Sequence, residues 1–208
     1  MSHVVLLGDS IFDNARYVPD KPCVIEQVRM SLPKDWRATL CAVDGAITDD
    51  VPAQLPNLPA GATHLVLSVG GNDALSAVHI LREPAVTVGE AMLVIGEALD
   101  EFEKSYRAML RQVVAIGKPT AVCTVYDSIP HLELADRTAL RGFNEIITRT
   151  AFAAKLPVID LRLVCTSVND YSSLSPIEPS ATGGAKIAEQ IAAAVRRHDF
   201  SGPVCVYF

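Results

Sequence analysis

Short apolar runs that end in glycine or aspartate alternate, from one end of the chain to the other, with stretches whose apolar residues recur every three or four positions. The first run, HVVLLGDS at 3–10, is apolar from Val4 to Leu7, which suits a strand buried on both faces. TLCAVD (39–44), THLVLSVGG (63–71), TAVCTVYD (120–127) and LPVIDLR (156–162) repeat the pattern and predict four more strands. Between them, helical spacing covers 23–32 up to Pro33, 87–116 up to Gly117, 134–154 and 181–197. PVCVYF at 203–208 is a terminal apolar piece suited to a sheet edge. Strands that alternate with helices pair in parallel through right-handed crossovers, and the helices then cover both faces of an open sheet. The expectation is a single α/β domain over 1–208 around a five-stranded, mainly parallel sheet.

Composition narrows the class. Of 208 residues 50% are hydrophobic and 20% charged, which is incompatible with disorder, and the net charge of −6 speaks against a nucleic-acid partner. No apolar run nears the roughly 20 residues of a membrane span, and the start, MSHVVLLGDS, reads as a strand, not a secretory leader. Five cysteines without CxxC or zinc spacing read as free thiols, several buried, in a reducing cytoplasm.

In an open α/β sheet the ligand site lies outside the carboxyl ends of the strands. That rule gathers Gly8-Asp9-Ser10, Asp44-Gly45, Gly70 to Asp73, Asp127 to His131 and the loop after Asp160 on one edge. GDS or GGND alone is a turn or a helix cap. Together, three strand ends bring a serine hydroxyl, a glycine N–H and an asparagine amide to one crevice. Acyl transfer needs that set: a nucleophile, and donors aimed at a developing oxyanion.

With GDS at 8–10, glycine at 45, GGND at 70–73 and a loop-then-helix at 175–188, the chain resembles the SGNH (GDSL-type) hydrolases along its whole length. The resemblance implies a flavodoxin-like three-layer α/β/α sandwich and hydrolysis of a small-molecule acyl or acetyl ester without cofactor or metal. It implies Ser10 as nucleophile, with the N–H groups of Ser10 and Gly45 and the amide of Asn72 as the oxyanion hole. The family's last block, Asp-x-x-His, reads Ser175-Pro176-Ile177-Glu178 here, while Pro179, Ser180 and Gly183 keep the frame.

Three readings follow from that departure. Glu178 replaces the base, its weak basicity raised by burial, with Ser175 donating to orient it. Alternatively His131, in the loop after the fourth strand, is recruited; His3, His64, His79 and His198 lie at the wrong edge, too far along, or on the last helix. In the third, the pocket binds an acylated or carbohydrate ligand without hydrolysing it. A metal phosphoesterase built on Asp9, Asp13, Asp44 and Asp73 is a weaker alternative. Among smaller expectations, Asp9 bonds loop amides, and Asp13 and Asn14 cap their segment or line the pocket rim. Asp73 fixes its loop, and Asp160 bonds the 175–180 loop. The helix at 87–116 is longer than one sheet layer requires, so it covers a pocket or the partner in a homodimer.

Overall fold

The computed structural model describes residues 2–208. Its strands are β1 (His3–Gly8), β2 (Arg37–Leu40), β3 (His64–Ser68), β4 (Thr120–Cys123), β5 (Val158–Ile159) and β6 (Val206–Tyr207). Its helices are α1 (Val24–Ser31), α2 (Gly71–Ala77), α3 (Val88–Ala115), α4 (Leu134–Ala153), α5 (Leu161–Val164) and α6 (Ala181–Arg197). The strands form one sheet in the order β2-β1-β3-β4-β5-β6, with every neighbouring pair parallel. The first five follow the flavodoxin-like order, whose switch point lies between β1 and β3.

The sheet has six strands, not five. The last apolar piece leaves α6, turns, and adds to β5 in the common direction, pairing Val158 with Val206 and Ile159 with Tyr207. Two strands are shorter than their apolar runs because loop and side-chain bonds take over the ladder. After Leu40 the N–H groups of Cys41 and Ala42 both donate to the Leu6 carbonyl at 2.9 Å, and β2 ends there. Past β4 the backbone of Val125 is taken by the Asn144 side chain, which donates to its carbonyl and accepts from its N–H, both at 2.8 Å.

β1 sets the layers. Val4 and Leu6 point into a core shared with α1 and α6, and Val5 and Leu7 into a second core shared with α3 and α4. That division is the two-residue alternation of a strand with helices on both sides. α3 runs for 28 residues, about 42 Å at ~1.5 Å per residue. Only its second half is buried, at Phe102, Tyr106, Met109, Leu110 and Val113. Its first turns extend beyond the sheet and leave Met92 and Leu93 exposed. The crossing of α3 and α4 is close: a Cβ on Gly142 would lie 2.6 Å from Leu99 Cδ1.

Candidate active site

Ser10 stands on a tight turn that leaves β1 at the switch point. Gly8 ends the strand at φ +124°, and a Cβ there would lie 1.7 Å from the Ser68 carbonyl oxygen, so only glycine fits between β1 and β3. The Gln54 amide pairs with both backbone groups of Gly8, at 2.8 and 2.7 Å. Asp9 then closes the turn. Its carbonyl accepts from Phe12 and Asp13 N–H at 3.1 Å, and its Oδ1 accepts from Ile11 N–H at 3.0 Å.

The expected oxyanion donors surround this turn. The Asn72 amide, at the start of α2, donates to the Ala46 carbonyl at 2.9 Å, which ties it to the turn carrying Gly45 and leaves its second N–H free for a ligand. Gly45 has φ +82°, and a Cβ on it would meet nothing within 4 Å. Neither Ser10 N–H nor Gly45 N–H donates to another described residue. Asp13, expected as a cap or rim residue, accepts from Asp44 N–H at 3.0 Å and so braces the Gly45 turn. Asp73 accepts from Thr48 N–H at 3.1 and 3.2 Å and holds the far side of the same loop.

Glu178 arrives from the opposite side and is 4% exposed. Its loop is strapped at every residue around it. Tyr126 Oη donates to the Ile177 carbonyl at 2.7 Å, and the buried Asn14 donates through Nδ2 to the Pro179 carbonyl at 3.0 Å. The Glu178 carbonyl accepts from Ser172 N–H at 2.8 Å, its N–H donates to the Ser175 carbonyl at 3.0 Å, and Tyr171 bridges Pro179. Ser175 therefore shapes the loop through its backbone; its hydroxyl does not orient the carboxylate.

Ser10, Asn72, Glu178 and Asp9 all line one cavity of about 150 Å³. Burial pushes the Glu178 carboxyl up to about 7; the Ser10 hydroxyl beside it pulls the other way and the Asp44 charge adds to the rise. Its Oε2 is buried without a hydrogen-bond partner, so the carboxylate beside the serine is only partly engaged. Loose contacts of this kind are common at catalytic pairs before substrate binds. Asp9, 2% exposed, is pushed up to about 8, first by burial and then by the charges of Glu178 and Asp73.

Among the described residues no histidine, lysine or arginine lines the cavity. His131 sits exposed on a left-handed turn at φ +62°, and its neighbours Ile129 and Leu132 enter the cavity instead. Asp160 does not reach the 175–180 loop: it is taken by Arg162 at 2.6 Å and by the Thr124 hydroxyl at 2.9 Å. The carboxylates considered for a metal are engaged elsewhere, Asp44 with Arg16 at 3.0 Å and with Tyr17 Oη at 3.1 Å. Tyr126 and Gln54 were not expected at the site as supports; Asn14, expected as a cap or rim residue, straps the Glu178 loop and accepts from Val24 N–H at 2.9 Å. The helix at 87–116 was expected to cover a pocket or a partner, and it does contribute to this cavity. Its walls come from residues 74–81, which carried no helix signal of their own, and from Ile95 and Ala98 on the overhanging half of α3.

A doubly wound α/β sandwich with a serine, a carboxylate and unspent donors at its switch point defines a candidate acyl-transfer domain. The sequence pattern of the GDSL-like Lipase/Acylhydrolase family matches residues 6–186, and the chain belongs to that family. No curated protein sequence matches it significantly. Among solved structures, the lipase Lip_vut3 from a goat rumen metagenome superposes with a TM-score of 0.72 at 23% identity, over 93% of this chain and 97% of that one. An extracellular lipase from Streptomyces rimosus gives 0.67 at 18% identity, over 93% and 99%. The acetyl xylan esterase AlAXEase gives 0.68 at 18% identity, over 93% and 99%. These are likenesses of fold. Among the described residues no helix is long and apolar enough to cross a membrane.

Proposed function

We propose that the chain is a carboxylic ester hydrolase in which Ser10 is the nucleophile and Glu178 the general base. The observation that carries this reading is the buried Glu178 carboxylate beside the Ser10 hydroxyl, in a cavity that also receives the Asn72 amide. In acylation Glu178 takes the Ser10 proton as Oγ bonds to the ester carbonyl carbon. The carbonyl oxygen becomes an oxyanion that accepts from Ser10 N–H, Gly45 N–H and Asn72 Nδ2. The tetrahedral adduct then expels the alkoxide, which takes the proton from Glu178 and leaves as the alcohol. Water repeats the sequence on the acyl-serine, giving its proton to Glu178 and releasing the acid; Oγ recovers the proton.

A carboxylate base has one consequence that a histidine lacks. Glu178 becomes neutral as the oxyanion forms, so the negative charge passes from base to substrate and no imidazolium-like cation stands beside it. A carboxylate also has no tautomer to select, which removes the need for an aspartate at position 175. A carboxyl raised to about 7 has the proton affinity that a base at neutral pH requires. The free thiols, with Cys205 exposed, support a reducing, cytoplasmic setting.

The Glu178 Oε2, buried without a partner, favours a second reading, in which the pocket holds an acyl ligand without turning it over. Hydrolysis of p-nitrophenyl butanoate by wild type, Ser10→Ala and Glu178→Gln separates the two. The esterase reading expects Ser10→Ala to lose at least about 10³-fold in kcat/KM. Equal rates in wild type and Ser10→Ala would establish the binding protein instead.

A further inference from the structure

Few of the groups that line the cavity are polar. Beyond Asp9, Ser10, Asn72 and Glu178, the lining is aliphatic or aromatic except for Asp136, and the Tyr126 hydroxyl is spent on the Ile177 carbonyl. The walls are small or aliphatic side chains such as Ala77, Ile80, Ile95, Ala98 and Ala139, with Phe143 closing one side. The volume is about 150 Å³. One water needs only about 10–15 Å³ on this scale, so there is room for a chain on the order of ten heavy atoms. An acetyl group would leave most of that apolar surface uncovered.

The alcohol side differs. The leaving alkoxide takes its proton from Glu178, so the alcohol departs past that residue, toward Tyr17 and Asp44: Ser172 donates to the Glu178 carbonyl at 2.8 Å and to the Tyr17 carbonyl at 2.6 Å, and Tyr17 Oη donates to Asp44 at 3.1 Å. Asp13 lies directly behind, bonded to Asp44 N–H. Among the described residues the cation paired at this spot is Arg16, bonded to Asp44 at 3.0 Å and lying over the Tyr17 ring at 5.6 Å. Asp13 and Asp44 thus share one engaged guanidinium beside the Glu178 carboxylate, and an anionic alcohol would meet an uncompensated negative field.

Resting on the serine mechanism proposed above, we infer that the substrate is an ester of an unbranched acyl chain of about six to ten carbons with an alcohol that carries no negative charge. The chain lies in the apolar cavity under α3, and a neutral polyol or a cationic headgroup occupies the Asp44–Tyr17 side. Phosphate-bearing acyl carriers are excluded by charge, and acetyl esters leave the cavity unfilled.

The test uses the full chain in two arms. In the first, kcat/KM is measured for p-nitrophenyl acetate, butanoate, octanoate and palmitate, and for 1-octanoylglycerol, octanoylcholine and octanoyl-CoA. Each methylene buried is expected to raise kcat/KM by about fourfold up to octanoate. Octanoyl-CoA is expected to be at least about tenfold slower than the glycerol and choline esters. Ala98→Trp, which fills the cavity, should lower the octanoate-to-acetate ratio at least about tenfold. Acetate faster than octanoate, or octanoyl-CoA as fast as octanoylglycerol, overturns the substrate class while the serine mechanism stands. In the second arm, Ser10→Ala is titrated by calorimetry with 1-octanoylglycerol and 1-acetylglycerol, independently of turnover. Octanoyl binding at least about tenfold tighter supports the cavity assignment, and equal binding overturns it. Undiminished hydrolysis by Ser10→Ala would sink the serine mechanism instead, so the two failures are separable.

Discussion

Ser10 and Glu178 meet in one cavity, but the chain brings them there by different means. Ser10 is placed by the backbone: β1 lies against β3, Gly8 fits where no side chain can, and the Asp9 carbonyl closes the turn. Glu178 is placed by side chains reaching in from elsewhere, Asn14 from the loop after β1 and Tyr126 from beyond β4. The first arrangement is inseparable from the sheet. The second is an attachment, and weakening it damages the site before it damages the fold. The substitution of Glu178 for the expected histidine falls on the attached side, where the sheet imposes no requirement on the side chain.

The largest effect should come from the strand side. Gly8→Ala places a methyl against the Ser68 carbonyl at a distance no packing tolerates, and at a φ that L side chains rarely adopt. The expected loss exceeds about 4 kcal/mol, in the range reserved for broken core geometry. Circular dichroism melts would register it as an unfolded or barely folded protein. A Gly8→Ala variant melting within a few degrees of wild type would break the comparison.

Next in size, and opposite in kind, is Glu178→Gln. Loss of the base should cut kcat about 10²–10⁴-fold. The fold should be untouched, because the straps hold the loop through backbone carbonyls and not through the carboxylate. Unchanged kcat in Glu178→Gln would remove Glu178 from the mechanism. Smaller again are the straps. Asn14→Ala loses a bond to the Pro179 carbonyl and one from Val24 N–H, about 2–3 kcal/mol together. Tyr126→Phe loses one bond, about 1 kcal/mol. Both should lower kcat while leaving the binding of an ester to the Ser10→Ala background within about twofold, since they displace the base and not the cavity. Equal losses in binding and turnover would show that the loop shapes the whole pocket.

The same contrast explains what the sequence made legible. Alternating runs with glycine stops encode the sandwich and the switch-point position of Ser10 and Asn72, because strand burial and sharp turns are local demands on residue type. α6 begins and ends where helical spacing and the Ser180 cap place it, with Ser180 Oγ accepting from Thr182 and Gly183 N–H at 3.1 Å. The sixth strand is only two residues long and depends on β5 for its existence, so the terminal run gave only an edge candidate. Asn14 and Tyr126 act across 165 and 51 residues, and nothing local marks a partner that distant. The apolar cavity is assembled from three helices and several connecting segments, and the helices are amphipathic for reasons that core packing alone would satisfy.

The subtlest prediction concerns two carboxyls in one dry site. Glu178 is raised to about 7 and Asp9 to about 8, and the charge on Glu178 is one cause of the rise in Asp9. Protons leave such a pair in two steps that belong to the pair. The groups facing it are Asp73, Asp44, Tyr17, Tyr126 and Cys123, none of them a cation. Activity should therefore rise through about pH 7 as Glu178 ionises, and fall above about pH 8 as a second anion forms beside the oxyanion. Stability moves with the same groups. A carboxyl raised on folding stabilises below its unfolded value, and that contribution is lost as pH climbs through the folded one, here between about 4 and 8. Asp9→Asn keeps the acceptor for Ile11 N–H but cannot ionise. It should retain the acid limb, flatten the fall above pH 8, and melt about 2–4 °C above wild type at pH 9. If its pH–rate and pH–melting profiles superimpose on those of wild type, Asp9 is a backbone clasp alone and Glu178 titrates independently of it.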